Sequence, residues 1–288
     1  MPLPSTPFYV ESWLPHQGRL EIYAPAKTGK TFMGLQLARC LGAGEDFMGL
    51  KVQQARTLYL QFELGQEVFQ QRLKSTKKHY PDVYVGTTFS LALDNQNGQT
   101  QLLEAMEAIQ PKVLVLDPLY KVMEGDENNA QDVKKVTDFL DRLIGAYECS
   151  IVLVHHCGKD ITRGGRGSSV LEGWPDSVVE LKRVHSQDGQ HHVKLTPKFL
   201  RHAALPPTPI EAVMKGFEFI TDESLTKEDK IKDIIINSDA PFTVSGLAEL
   251  VGTSARTVYN VVNFLSDNDI IEKISRGVYC LKHVDNDA

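Results

Sequence analysis

A chain of 288 residues with 42% hydrophobic and 24% charged side chains can bury one large core, or a core plus a small module. It has no run of eighteen apolar residues and no basic start leading into an apolar block, so neither a membrane span nor a signal peptide is expected, and a cytoplasmic setting is. The formal net charge of −6 excludes a surface that is basic all over, and the scattered cysteines Cys40, Cys149, Cys157 and Cys280 are expected as free thiols.

Residues 1–17 read as a proline-bearing lead-in that packs on the core through Trp13. Residues 20–23 alternate apolar and polar side chains, as a short strand does, and 32–41 carry apolar residues at helical spacing. Between them lies Ala24-Pro25-Ala26-Lys27-Thr28-Gly29-Lys30-Thr31. Strand, small-residue loop, Gly-Lys-Thr and helix is the context of a phosphate-binding loop. Its backbone N–H groups and the helix N-terminus would surround the β- and γ-phosphates of a nucleoside triphosphate. Lys30 would add a point charge there, and the Thr31 hydroxyl would hold Mg²⁺. The first glycine of the motif is Ala24 here, which requires a negative φ at that position.

Residues 56–62 are strand-like and end on Glu63; 65–80 read as an amphipathic helix with a basic end. Residues 83–85 form a short strand and 99–109 a helix. The apolar run 112–117 closes on Asp117 and fits a buried parallel strand, followed by a helix over 132–147 and a second buried strand over 150–154 that ends in His155 and His156. This alternation predicts an α/β fold with a mostly parallel sheet covered on both faces and its active site at the carboxyl ends of the strands. Residues 177–183 and 191–196 then predict a hairpin, 206–209 a stiff connector, and 210–220 a last strand pair.

A domain boundary is expected in the polar stretch 221–230, giving a nucleotide-binding domain over 1–222 and a winged-helix domain over 226–285. In the tail, helices are expected over 230–236, 243–251 and 254–265, then two short strands as a wing. Val258, Val261, Val262 and Leu265 form the core stripe of the third helix, leaving Arg256 and Asn260 on its open face to read base edges in a major groove. Within 226–288, seven basic residues stand against ten acidic ones, so docking on protein is an alternative to duplex DNA.

Several residues carry the expected chemistry. Asp117 is placed to hold Mg²⁺ as a Walker B carboxylate, or else serves as a turn aspartate before Pro118. Glu63 is either the acceptor of a proton from an attacking water or a solvated strand end. His155 and His156 point to opposite faces of a strand, so at most one faces the γ-phosphate. Metal binding by His155, His156 and Cys157 is disfavoured, because adjacent ligands suit zinc poorly.

The phosphate loop, Glu63 at the end of the next strand, Leu116-Asp117-Pro118-Leu119, and Val154-His155-His156-Cys157-Gly158-Lys159 followed by Arg166-Gly167-Ser168-Ser169 form an ordered set. Over roughly residues 8–220 that set resembles the RecA-like ATPases of the RepA type, hexameric replicative helicases of plasmids and related mobile-element ATPases. The resemblance implies that Glu63 is the catalytic base, that Asp117 coordinates Mg²⁺ and that one of the two histidines senses the γ-phosphate. It also implies a ring of identical subunits, in which Lys198 and Arg201 act as fingers on the neighbour's nucleotide; a basic strand edge is the alternative use of those two residues. In such a ring the loop bearing Lys159, Arg163 and Arg166 would grip single-stranded DNA in the central channel, or else cover the nucleotide as a lid. The expected function is an ATP-driven helicase of a plasmid, phage or mobile element, with other replication proteins or duplex DNA as partners of the tail. A regulatory ATPase, such as a helicase loader or transposition regulator, is the alternative, and a metabolic kinase a more distant one.

Overall fold

In the computed structural model, the described residues are 7–87, 91–156, 169–184, 190–204, 209–221, 227–236, 241–268 and 270–282. Residues 7–184 and 191–221, where described, belong to one compact unit, and the chain from Asp222 onward belongs to a second.

The first unit opens with a small hairpin, β1 (Phe8–Val10) and β2 (Leu14–Pro15), which carries Trp13 into the core against Phe47. Then follow β3 (Arg19–Ala24), α1 (Lys30–Ala43), β4 (Thr57–Gln61), α2 (Gln66–Ser75), β5 (Val83–Thr87), α3 (Gln96–Ile109), β6 (Val113–Asp117), the 3₁₀ turn Leu119–Lys121, α4 (Ala130–Tyr147) and β7 (Ser150–His156). A short α5 (Ser169–Gly173) leads to β8 (Ser177–Val184), β9 (His192–Leu200), β10 (Ile210–Lys215) and β11 (Glu218–Thr221). Nine strands form one sheet in the order β11-β10-β9-β8-β3-β7-β6-β4-β5. Pairings from β8 to β5 are parallel, and those among β8, β9, β10 and β11 are antiparallel.

Every residue of β4 and β6 is buried, as expected of strands covered on both faces. One face packs Ile22, Ala24, Tyr59, Val115, Val152 and Val154 with α1 and the N-terminal hairpin. The other packs Leu60, Leu116, Ile151 and Leu153 with apolar residues of α3 and α4. Helix α1 is buried nearly all round, because the hairpin and Phe219 cover the side turned away from the sheet. Gln36 locks it to β11 through a reciprocal pair of 2.8 Å bonds with the backbone of Phe219.

Several boundaries differ from expectation. Helix α2 stops at Ser75 rather than near Tyr80, where Thr76 caps the turn through the Leu73 carbonyl and Lys77 takes a positive φ of 53°. Helices α3 and α4 begin earlier than read, each behind an asparagine N-cap, Asn95 and Asn129. Strands β8 and β9 outrun the expected hairpin arms. Cys40, Cys149 and Cys280 are unbridged. No helix among the described residues is long and apolar enough to cross a membrane.

The second unit holds α6 (Lys227–Ile236), β12 (Phe242–Thr243), α7 (Val244–Val251), α8 (Ala255–Asp267), β13 (Ile271–Ser275) and β14 (Val278–Leu281), with the antiparallel order β12-β14-β13. Val258, Val261, Val262 and Leu265 of α8 meet Ile231, Ile235 and Leu247 in its core. Thr243 and Ser254 cap α7 and α8, and Gly252, at φ 62°, ends α7 in the left-handed region. Strand β12 is too short for any periodicity to announce.

Candidate active site

Between β3 and α1 the chain turns through residues 25–29 with positive φ at Lys27 (63°) and Gly29 (99°). Ala24 has no positive φ; it ends β3 as a fully buried residue, so the alanine fits without strain. Gly29 is the position that needs glycine: besides its φ, an added Cβ would lie 2.8 Å from the Phe219 ring. Thr28 Oγ1 donates to the Pro25 carbonyl at 2.7 Å, and the Thr28 carbonyl lies 2.8 Å from His191 Nε2. Lys30 is buried, its ammonium donating to the carbonyls of Ala24 (3.0 Å) and Pro25 (2.8 Å).

A cavity of about 320 Å³ opens at this loop, lined by Lys27, Gly29, Lys30, Thr31, Phe32, Glu63, Arg72, Asp117, His156, His191 and Met214. The carboxyl ends of β4, β6 and β7 bring Glu63, Asp117 and His156 to the same mouth, which is where a mostly parallel sheet presents its ligand site.

Asp117 is 3% exposed and accepts a hydrogen bond from the Tyr59 hydroxyl. Burial pushes its pKa up to about 6, against the opposing hydrogen bonds from Tyr59 and Thr31. Beyond β4, Glu63 Oε1 accepts from the Tyr120 hydroxyl at 2.9 Å and lies 3.4 Å from His156 Nε2. Burial, and then the Lys30 charge, lowers the His156 pKa below its usual value, which keeps that ring neutral near pH 7.

His155 lies on the other face of β7 from His156 and does not line the cavity. It is fully buried, with Nδ1 2.7 Å from Glu21 Oε1. Of the histidine pair, His156 is therefore the one that lines the cavity, and His155 is withdrawn from it.

Lys198 and Arg201 are also outside this chain's own cavity. Lys198 reaches Glu180 Oε2 at 2.9 Å. Arg201 follows β9 at the edge of the sheet opposite the loop, where Leu200 pairs with Ser177 and Ser177 with Leu20. It is tied there to Asp176 Oδ1 (2.9 Å) and to the Gly173 carbonyl (3.1 Å), while Asp176 also receives Arg19. Lys159, Arg163 and Arg166 lie outside the described residues. Arg256 and Asn260 are exposed on α8 of the second unit.

Tyr59, Arg72, Tyr120 and His191 belong to the site but carry no motif in the sequence. Tyr59 shares the face of Asp117 because both side chains point the same way from neighbouring strands. Arg72, 4.6 Å over the Phe32 ring, reaches the cavity from α2. His191 arrives from the start of β9.

Thr31 and Asp117 fit Mg²⁺: a hydroxyl and a carboxylate, hydrogen-bonded to each other, offer hard oxygen donors beside the loop. Among the described residues there is no cluster of three or more His, Cys, Asp or Glu side chains that could hold a metal alone. Mg²⁺ at a triphosphate takes one or two protein oxygens and completes its shell with phosphates and water, where it would neutralise charge developing on the phosphates.

The raised Asp117 pKa has a stability consequence of definite sign. The folded chain binds this proton more tightly than the unfolded one, so the group's contribution is complete below about pH 3.8 and is lost as pH rises through about 6. Asp117→Asn, which removes the buried charge and keeps one acceptor oxygen while the other becomes an amide donor, is expected to stabilise the nucleotide-free protein by on the order of 2 kcal/mol at pH 7 while abolishing Mg²⁺-dependent turnover. Thermal melts at pH 7 and pH 4.5 check this: the gain shrinks at the lower pH.

The model of an AAA domain family, AAA_25, matches residues 2–161. The KaiC-like protein PH0186 of the hyperthermophilic archaeon Pyrococcus horikoshii OT3 superposes with a TM-score of 0.56 at 14% sequence identity, over 74% of this chain and 93% of that one. At that identity the likeness concerns the fold alone. No curated protein matches the chain. With the family match spanning more than half its length and the phosphate loop on a mostly parallel sheet, this chain belongs to the AAA domain family, as a P-loop ATPase with a RecA-like core.

Proposed function

We propose that the chain is an ATP-driven motor on DNA, working as a hexameric ring in the manner of a replicative helicase of a plasmid, phage or mobile element. The observation that carries the hydrolytic half is the convergence of Lys30, Thr31, Asp117, Glu63 and His156 on one cavity. Lys30 and the loop amides bind the phosphates of ATP, Glu63 takes a proton from the attacking water, and His156 registers the state of the terminal phosphate through its 3.4 Å approach to Glu63.

The ring rests on the resemblance alone: in this chain Lys198 is paired with Glu180 and Arg201 with Asp176, so a role on a neighbour's nucleotide would require each to leave its carboxylate. The second unit supports contact with duplex DNA or a partner protein: three helices with a small antiparallel sheet suit a winged helix, with Arg256 and Asn260 on its open helix face. Single-stranded DNA would be gripped by Lys159, Arg163 and Arg166.

A regulatory ATPase that switches assembly without unwinding is the second reading. The acidic balance of the tail favours it, because DNA affinity rests on phosphate neutralisation. The two readings part on one experiment: ATP turnover with and without oligo(dT), repeated with Lys159, Arg163 and Arg166 replaced by alanine. The motor reading expects roughly a fivefold or greater rise that the triple variant loses. Turnover indifferent to DNA, with ATP driving assembly, would establish the switch.

A further inference from the structure

Tyr120 occupies a position that ATP binding alone does not explain. It sits on the 3₁₀ turn Leu119–Lys121, three residues beyond Asp117, between two anchors, Leu119 and Val122, that are buried in the second core. The Val122 amide donates to the Leu119 carbonyl at 2.9 Å, and the Val122 carbonyl accepts from the Leu93 amide at 2.8 Å, so the backbone of the turn is fixed. The side chain is 37% exposed and stands beside Glu63 and His156. Its hydroxyl donates to Glu63 Oε1 at 2.9 Å, and its ring meets the His156 ring edge to face, 5.4 Å between centroids. The approach of His156 Nε2, at 3.4 Å, is to the same oxygen.

Two groups on one carboxylate oxygen define the orientation of the whole carboxylate. Glu63 is itself 38% exposed and beyond the end of β4, so nothing in the strand fixes its rotamer. Burial and the neighbouring Glu63 push the Tyr120 hydroxyl up to about 12, which keeps it a protonated donor at working pH.

We infer that Tyr120 is a positioning residue for hydrolysis: its hydroxyl holds Glu63 by Oε1 and thereby turns Oε2 toward the attacking water. This rests on the reading of Glu63 as the base. In the step itself the water oxygen forms the new bond to the γ-phosphorus. The bond to the leaving diphosphate breaks with its electron pair going to ADP, and the water proton passes to Oε2. Tyr120 neither gains nor loses a proton. Its contribution is orientation of the acceptor, which acts on the rate of the chemical step and leaves nucleotide affinity alone.

Tyr120→Phe removes the hydroxyl and keeps the ring against His156. Turnover, ATP affinity and the number of ATP sites are measured for this variant beside the wild type and Glu63→Gln. The expected result is a roughly tenfold fall in kcat with Kd for ATP within about twofold. Partial unfolding would lower the number of ATP sites counted in the binding titration, so kcat per bound site separates a lost orientation from a lost fold. A Phe variant with wild-type kcat, beside an inactive Glu63→Gln, overturns the role of Tyr120 alone. Wild-type turnover by Glu63→Gln overturns the base on which that role depends.

Discussion

Lys30→Ala is expected to weaken ATP binding at least about a hundredfold and to leave no measurable turnover. The ammonium is buried and bonded to the carbonyls of Ala24 and Pro25, so the same side chain that would meet the phosphates also braces the loop. Alanine removes the charge and leaves two carbonyl oxygens beside the cavity without their donor. Lys30→Arg is expected to fare little better, because a planar fork cannot occupy a space shaped for a compact ammonium. Titration with a fluorescent ATP analogue checks both variants, and binding at wild-type affinity by Lys30→Ala would remove the loop from the account.

Glu63→Gln is expected to separate binding from chemistry. Glutamine still accepts from Tyr120 and fills the same volume, so ATP affinity stays within about threefold, while turnover falls by about 10²-fold or more through loss of the proton acceptor. Because Glu63 contacts His156, the variant also tests whether the sensor position can be loaded without hydrolysis. It is expected to hold ATP through many wild-type turnover times, which a filter-binding chase measures directly.

How far the sequence reached follows from which interactions are local. The phosphate loop, Asp117 and Glu63 are legible because each lies at or just past a strand end and its neighbours in the chain declare that strand. The histidine pair is legible only as a pair. Residues 151–154 are apolar on both faces of the sheet, so no alternation says which histidine faces α1. The answer comes from three dimensions: Val152 and Val154 pack in the α1 core, and His156 keeps their parity. Tyr120, Arg72 and His191 come from a turn, a helix and a returning strand, and only the crossovers of the sheet bring them together. The tail's stripe from Val258 to Leu265 was readable because one amphipathic helix carries it alone, whereas β12 needed its partner β14 to exist at all.

Arg201 illustrates a different limit. A basic residue after a late strand invites a role in trans, yet here its guanidinium closes on Asp176, which also receives Arg19. Composition and spacing give the charge but not the carboxylate that engages it.

The whole account turns on Glu63 breaking ATP held by Lys30 in one cavity. Phosphate release from Mg²⁺-ATP, followed for the wild type, Lys30→Ala and Glu63→Gln beside nucleotide binding by the same three proteins, tests it most directly. The predicted pattern is release by the wild type alone, with binding lost in the lysine variant and kept in the glutamine variant. Steady release by Glu63→Gln at the wild-type rate would contradict it.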